Sequence, residues 1–163
     1  VSLKLYIAGP YHLRAILSRV ADLFRRASVE VVSSWLEEKA PVTPDYSLLS
    51  EDQRRVMGEI AQRDAAELEQ ADMLLIFPDS PAGHAISDGR RVPLYTAGGA
   101  RHTELGIALY RKIPIFLVGE NEAEQIFHFH PQIVRSSLRA AFTAILQVGN
   151  LLAELPEEIE VGS

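Results

Sequence analysis

"DMLLIFP", residues 72–78, decides the fold. Met73 to Phe77 run apolar without a polar break. A strand with one face in water alternates apolar and polar side chains; a strand covered on both faces has no need to. The run therefore reads as a strand of a parallel sheet lying between two layers of helices. Upstream, "LKLYIAG" (3–9) reads as a second buried strand, ended by Gly9-Pro10. A helix follows whose apolar face is Leu13, Ile16, Leu17, Val20 and Phe24, with Arg14, Arg19, Arg25 and Arg26 mostly off it. "VEVVSSW" (29–35) is another strand, with Trp35 at its end, and "EEKAPVTPDYSLLS" (37–50) is a proline-containing loop. Ser50 is placed to cap an amphipathic helix over 51–70, with Val56, Ile60, Ala61 and Leu68 on its apolar face.

Downstream of the decisive strand, residues 79–97 combine glycine, proline and polar residues with little periodicity. A connection of that length is usually functional, so it is read as a lid or insertion loop, with "RVPLY" (91–95) as a short strand or hairpin arm. A helix over 101–111, a strand "IPIFLVG" (113–119), a loop "ENEAEQIFHFHP" (120–131), a short strand "QIVRSS" (132–137), a helix over 138–153 and a frayed polar tail complete the chain. Strands alternating with helices predict an α/β fold: a single-domain, Rossmann-like open parallel sheet of about five strands with helices on both faces.

The totals narrow the function. The length of 163 residues suits one domain spanning 1–163. A net charge of −6 argues against a nucleic-acid partner, which calls for a basic face. With no cysteine there is no disulfide framework and no thiolate metal site. No apolar run reaches the roughly 18 residues of a membrane span, and the N-terminal residues lack a signal-peptide layout. The expectation is a cytoplasmic protein with no membrane partner.

Ligands of open parallel sheets bind at the carboxyl ends of the strands, here residues 6–11, 33–35, 77–79 and the turn at 98–104. That turn opens "GGARHTELGIAL" (98–109), in which Glu104 is the only acid. On the residues alone Glu104 has two readings. It is an acid at a helix start, favoured by the helix dipole by roughly 0.3–1 kcal/mol, or it is a group that attacks a substrate. The Gly-rich dinucleotide and phosphate-loop motifs are absent, as is H-E-x-x-H. His102 with Glu104, or His128 with His130, is too few ligands for a metal, and neither a metal nor a cofactor is expected. Ser33 and Ser34 stand near no histidine motif, so a serine triad has no support.

Four pieces in order, "YIAGP" (6–10), "RDAAELEQADMLLIF" (63–77), "GGARHTELGIAL" (98–109) and "KIPIFLVG" (112–119), resemble the nucleoside 2-deoxyribosyltransferase family and the related 2′-deoxynucleoside 5′-monophosphate N-glycosidases. The resemblance spans most of residues 4–119. It implies that Glu104 is the nucleophile, that Asp64 works beside the base and sugar, and that Tyr6 hydrogen-bonds near the nucleophile. It places Trp35 at a base-stacking position. Gly9, Pro10, Asp72, Gly98, Gly99, Arg101 and His130 join the expected substrate pocket, Arg101 as a candidate for a 5′-phosphate and His130 over this site or that of a second subunit. Two departures touch base choice and phosphate recognition. Gly98 stands where many transferases carry an aspartate, and Pro10 and Gly98 stand where the N-glycosidases carry phosphate-binding serines.

The implied activity is a step of nucleotide salvage. The N-glycosidic bond of a 2′-deoxynucleoside or its 5′-monophosphate is cleaved through a deoxyribosyl–glutamate ester, and the sugar passes to another free base. Hydrolysis through the same ester is the nearest rival. A nucleotide-sensing module that kept the pocket without the chemistry is the rival of another class. A homodimer or higher homo-oligomer is the expected assembly.

Overall fold

The computed structural model describes residues 2–38, 49–79, 83–94, 100–119 and 126–153. Five parallel strands form an open sheet in the order β2-β1-β3-β6-β7, where β1 is Lys4–Ala8, β2 Glu30–Val31, β3 Met73–Ile76, β6 Ile115–Val118 and β7 Ile133–Ser136. The decisive run forms the central strand: β3 pairs with β1 from Leu5↔Met73 to Ala8↔Ile76 and with β6 from Leu74↔Ile115 to Ile76↔Leu117. All four of its residues are buried, as an unbroken apolar strand requires.

The helices are α1 (Arg14–Arg26), α2 (Glu51–Gln70), α3 (Ala100–Arg111) and α4 (Leu138–Ala153). Right-handed crossovers assign them to faces. The chain steps from β1 outward to β2 through α1, then back across to β3 through α2 and on to β6 through α3. Thus α2 and α3 share one face and α1 lies on the other. On that second face α4 joins α1 through Phe24 and Phe142, whose ring centroids are 4.8 Å apart. The fold class expected from the sequence is the one observed.

Local chemistry explains the details. Ser50 forms a reciprocal capping box with Gln53, starting α2 where the sequence placed it. At the far end of α2, Arg111 of α3 donates from Nη1 to the carbonyls of Leu68 and Ala71, at 2.7 and 2.9 Å. A cation is thereby held on the orphan carbonyls of a helix C-terminus, and the two helices are joined. On α1, Leu17, Val20 and Phe24 are buried, but Ile16 is 58% exposed and Ala21 is buried instead. Each residue turns about 100° around a helix, so the stripe 17–20–21–24 excludes position 16. The strand expected over 29–35 is shorter, Glu30–Val31, because Ser34–Glu37 wind into a 3-10 turn.

Within the insertion 79–97, residues 83–94 bear out the hairpin arm read at 91–95 and add its partner strand. They form an antiparallel hairpin of β4 (Gly83–Ser87) and β5 (Arg90–Leu94). Its turn is Asp88-Gly89, both at positive φ, the backbone that a two-residue hairpin turn demands. Residues 80–82 and 95–97 of the loop, and the tail at 154–163, lie outside the described residues.

Gly9, at the end of β1, is small for a packing reason. A Cβ there would stand 2.4 Å from Leu17 Cδ1 and 3.4 Å from Phe77 Cβ. Leu17 is a core residue and has little room to move. Gly9→Ala is expected to destabilise the fold by about 1–2 kcal/mol, visible as a lowered denaturation midpoint with an unchanged denaturant slope. A midpoint equal to that of the wild type overturns this account of Gly9.

Candidate active site

The chain order reverses at β1: the first crossover leads outward to β2 and the next returns past β1 to β3. Above the carboxyl ends of β1 and β3 the connections diverge, the place where open α/β sheets bind ligands. Tyr6 lies in the middle of β1, fully buried on the face covered by α2 and α3. Its hydroxyl donates to Glu104 Oε1 at 2.8 Å. Glu104 is in the second turn of α3, whose first turn holds no acid. The helix dipole acts mainly within the first turn, so an acid serving a helix start does not describe Glu104. A part-buried hydrogen bond from the sheet to the helix does.

The electrostatics follow from burial. Desolvation pushes the Glu104 carboxyl from its ordinary 4.5 up to about 7; the Tyr6 hydrogen bond and the charge of Arg101 pull it down, while the charge of Asp64 pushes it further up. Desolvation also lifts the Tyr6 hydroxyl far above its ordinary value, and the charges of Glu104 and Asp64 add to the rise. Both effects favour the protonated hydroxyl, the form that donates to Glu104. Asp64, on α2, acts by charge on both Tyr6 and Glu104. Its own carboxyl is raised, first by burial and then by Glu67 and Glu38, against the opposing hydrogen bonds and charge of Arg63.

Among the substrate-pocket candidates, Arg101 is 4% exposed. It precedes Glu104 by three residues on α3, so it belongs to the interior and not to the charged surface. Pro10 is buried and Gly9 is half-buried at the end of β1. Trp35 is 8% exposed and packs in the core, with its indole Nε1 donating to the Ile7 carbonyl at 2.7 Å. Beside it, Ser33 Oγ accepts the Ile7 amide at 3.1 Å. These two bonds tie the segment after β2 to the upper part of β1. Gly98 and Gly99 lie outside the described residues.

One assignment is corrected, and a second residue stands away from Glu104 within its own chain. Asp72 sits at the amino end of β3, where it exchanges bonds with Lys4: its Oδ2 accepts the Lys4 amide at 2.8 Å and its own amide donates to the Lys4 carbonyl at 2.8 Å. It extends the β1–β3 ladder at the end of the sheet opposite the crevice. His130 also belongs to the amino end. Its Nδ1 accepts the Gln132 amide, and Gln132 Nε2 donates to the carbonyls of Ala108 and Ile113, below the C-terminus of α3. Neither residue reaches the Glu104 crevice of its own chain.

Sequence reasoning missed the cluster around Asp64. The Arg63 guanidinium bonds Asp64 Oδ1 through Nη2 at 2.9 Å and Nε at 3.2 Å, and Glu38 Oε2 through Nη1 at 2.7 Å. Glu67 Oε1 lies 3.8 Å from Arg63 Nε, and Glu67 Oε2 accepts the Ser34 amide at 3.0 Å. The available signal was the spacing of Asp64 and Glu67, which puts both carboxylates on one helix face. A second missed pair stands at the rim: exposed His12 lies 3.7 Å from Oδ1 of buried Asp79. Among the described residues, no three His, Cys, Asp or Glu side chains are grouped as a metal ion would need, and no helix is long and apolar enough to cross a membrane.

The raised Glu104 carboxyl has a consequence for stability. The folded protein holds this proton more tightly than the unfolded chain does. The contribution favouring the fold is complete below about pH 4.5 and is lost as the pH rises through about 7. Glu104→Gln removes the charge and keeps an acceptor for Tyr6. The variant is expected to melt with the wild type at pH 5 and to exceed it at pH 8, by on the order of 1–3 kcal/mol. Parallel stability curves from pH 5 to pH 8 reject a desolvated Glu104.

No protein-family model and no curated protein matches the sequence. Among solved structures, the chain is similar to the CMP N-glycosidase BcmB of Clostridium botulinum, at 15% identity and a TM-score of 0.48, covering 87% of this chain and 97% of that one. It is also similar to a 3-dehydroquinate dehydratase-like protein of Bifidobacterium longum, at 14% identity and a TM-score of 0.41, covering 94% of this chain and 100% of that one.

Proposed function

We propose that the protein cleaves the N-glycosidic bond of 2′-deoxynucleosides or their 5′-monophosphates through a covalent ester on Glu104, and passes the deoxyribosyl group to a second base. The observation that carries this reading is the 2.8 Å bond from the buried Tyr6 hydroxyl to a desolvated Glu104 carboxylate at the switch point of the sheet. Tyr6 occupies Oε1 and leaves Oε2 to attack. As the bond from C1′ to the base nitrogen breaks, its electron pair goes to the base and positive charge gathers on the sugar. A carboxylate beneath the ring captures that charge as an ester, dividing one high barrier into two lower ones. Asp64 supplies the proton that the departing base takes up. In the second half-reaction an incoming base nitrogen attacks C1′, Glu104 leaves as carboxylate, and the proton returns to Asp64. Water in place of the base gives free deoxyribose by the same route. The hairpin of β4 and β5, inserted between β3 and α3, is in this reading the cover that keeps water from the ester.

Chromatography of each deoxynucleoside and deoxynucleotide, with and without a second free base, tests the reading. A mixed nucleoside is the expected product. Free base with deoxyribose reassigns the acceptor to water, and unchanged substrate throughout rejects the chemistry. Glu104→Gln and Glu104→Ala should lose nearly all turnover, and a 2-fluoro sugar substrate should leave a mass adduct on the Glu104 peptide. The attacking group must be ionised, so kcat/KM should show a limb that rises with pH through about 7. The Tyr6 bond lowers the Glu104 carboxyl, so Tyr6→Phe should move this limb to higher pH. A limb that stays in place removes Tyr6 from the mechanism. Ribonucleosides should react far more slowly than matched deoxy substrates, because a 2′-hydroxyl withdraws electrons from the sugar cation; equal rates count against the proposed transition state.

A further inference from the structure

We infer that Arg63 is a positioning residue for Asp64, setting which carboxylate oxygen meets the substrate base. The inference rests on the reading of Asp64 as the group that serves the base. Neighbouring residues on a helix point about 100° apart and do not normally face one another. An Arg63–Asp64 bond is thus not an ordinary helix-stabilising pair. The guanidinium reaches Asp64 because Glu38, in the segment after β2, holds its Nη1 at 2.7 Å. Glu67 backs the fork at 3.8 Å and is itself fixed by the Ser34 amide. A planar fork anchored at Nη1 presents Nε and Nη2 along one edge, and both bonds from that edge land on Asp64 Oδ1. Among the described residues these are the hydrogen bonds that Asp64 makes, so Oδ2 is directed away from the clamp. Glu38, Asp64 and Glu67 are each about one-fifth exposed or less while Arg63 is 36% exposed, so the carboxylate side of the cluster is half-buried and the guanidinium stands at its edge. The same cation also offsets repulsion among three close carboxylates, two of which join burial in raising the third.

Arg63→Gln, Arg63→Lys and Asp64→Asn, with the Arg63→Gln/Asp64→Asn double variant, form the test. Arg63→Gln should lower kcat by about 10–100-fold through misplacement of Asp64, with KM nearly constant. Arg63→Lys keeps the charge without the fork and should fall between Arg63→Gln and the wild type. In the Asp64→Asn background, Arg63→Gln should cost nothing more, whereas equal losses in both backgrounds overturn the inference. A readout independent of turnover is the Asp64 carboxyl carbon followed by NMR against pH. Arg63→Gln should move its midpoint upward, and an unmoved midpoint also overturns the inference. A moved midpoint in a protein that cleaves no nucleoside rejects the functional reading and leaves the Arg63–Asp64 coupling standing. If Arg63→Gln does not fold, Arg63→Lys carries both measurements.

Discussion

A carboxylate out of water must be held by something, and in this fold Tyr6 holds Glu104. The bond spans two layers: its donor comes from the middle of β1 and its acceptor from the second turn of α3. Both ends are fixed by the register of the sheet. Tyr6 pairs with Leu74, and the strand that follows α3 pairs on the other side of β3. A slip of one residue in β1 would turn Tyr6 toward the α1 and α4 layer and leave Glu104 desolvated without its donor. The geometry of the crevice is therefore inseparable from the pairing of the two central strands.

The remaining ties keep the two helices of that layer at a fixed distance above the sheet. Arg111 joins the end of α2 to α3. At the other end of the layer, the Glu67 carboxylate takes the Ser34 amide, while Trp35 and Ser33 take the carbonyl and amide of Ile7. Each is a polar group within or beside the core finding its partner, as burial requires. Together they place Asp64, on α2, beside Glu104, on α3, although forty residues of sequence separate them. Rigid support of this kind is what a site needs when its reacting groups come from different elements.

The fold was legible wherever periodicity and capping chemistry act locally. The run at 73–77 read as a strand covered on both faces, Ser50 marked the start of α2, and α4 falls on 138–153 as read. Legibility failed where tertiary contacts or a two-residue signal decide. The segment after Val31 looks like strand by composition, yet Trp35 turns inward to reach Ile7 and breaks the extension. Of the hairpin only the arm at 91–95 was legible; its partner, Gly83–Ser87, alternates too weakly for periodicity to reveal it. In the site, Tyr6, Asp64 and Glu104 could be named through a family pattern. Arg63 could not, because its meaning depends on Glu38, a residue 25 positions away that no local spacing connects to it.

The distribution of charge in the crevice explains why burial does not simply silence its acids. Alone, a desolvated carboxylate keeps its proton and is a poor nucleophile. Here each of the two central acids has a cation assigned to it: Arg101 acts on Glu104, and Arg63 on Asp64. The charge of Asp64 in turn raises Glu104. Ionisation of Asp64 therefore favours a proton on Glu104. The proposed cleavage needs one carboxylate and one carboxylic acid side by side, an anion for the sugar and a proton for the base.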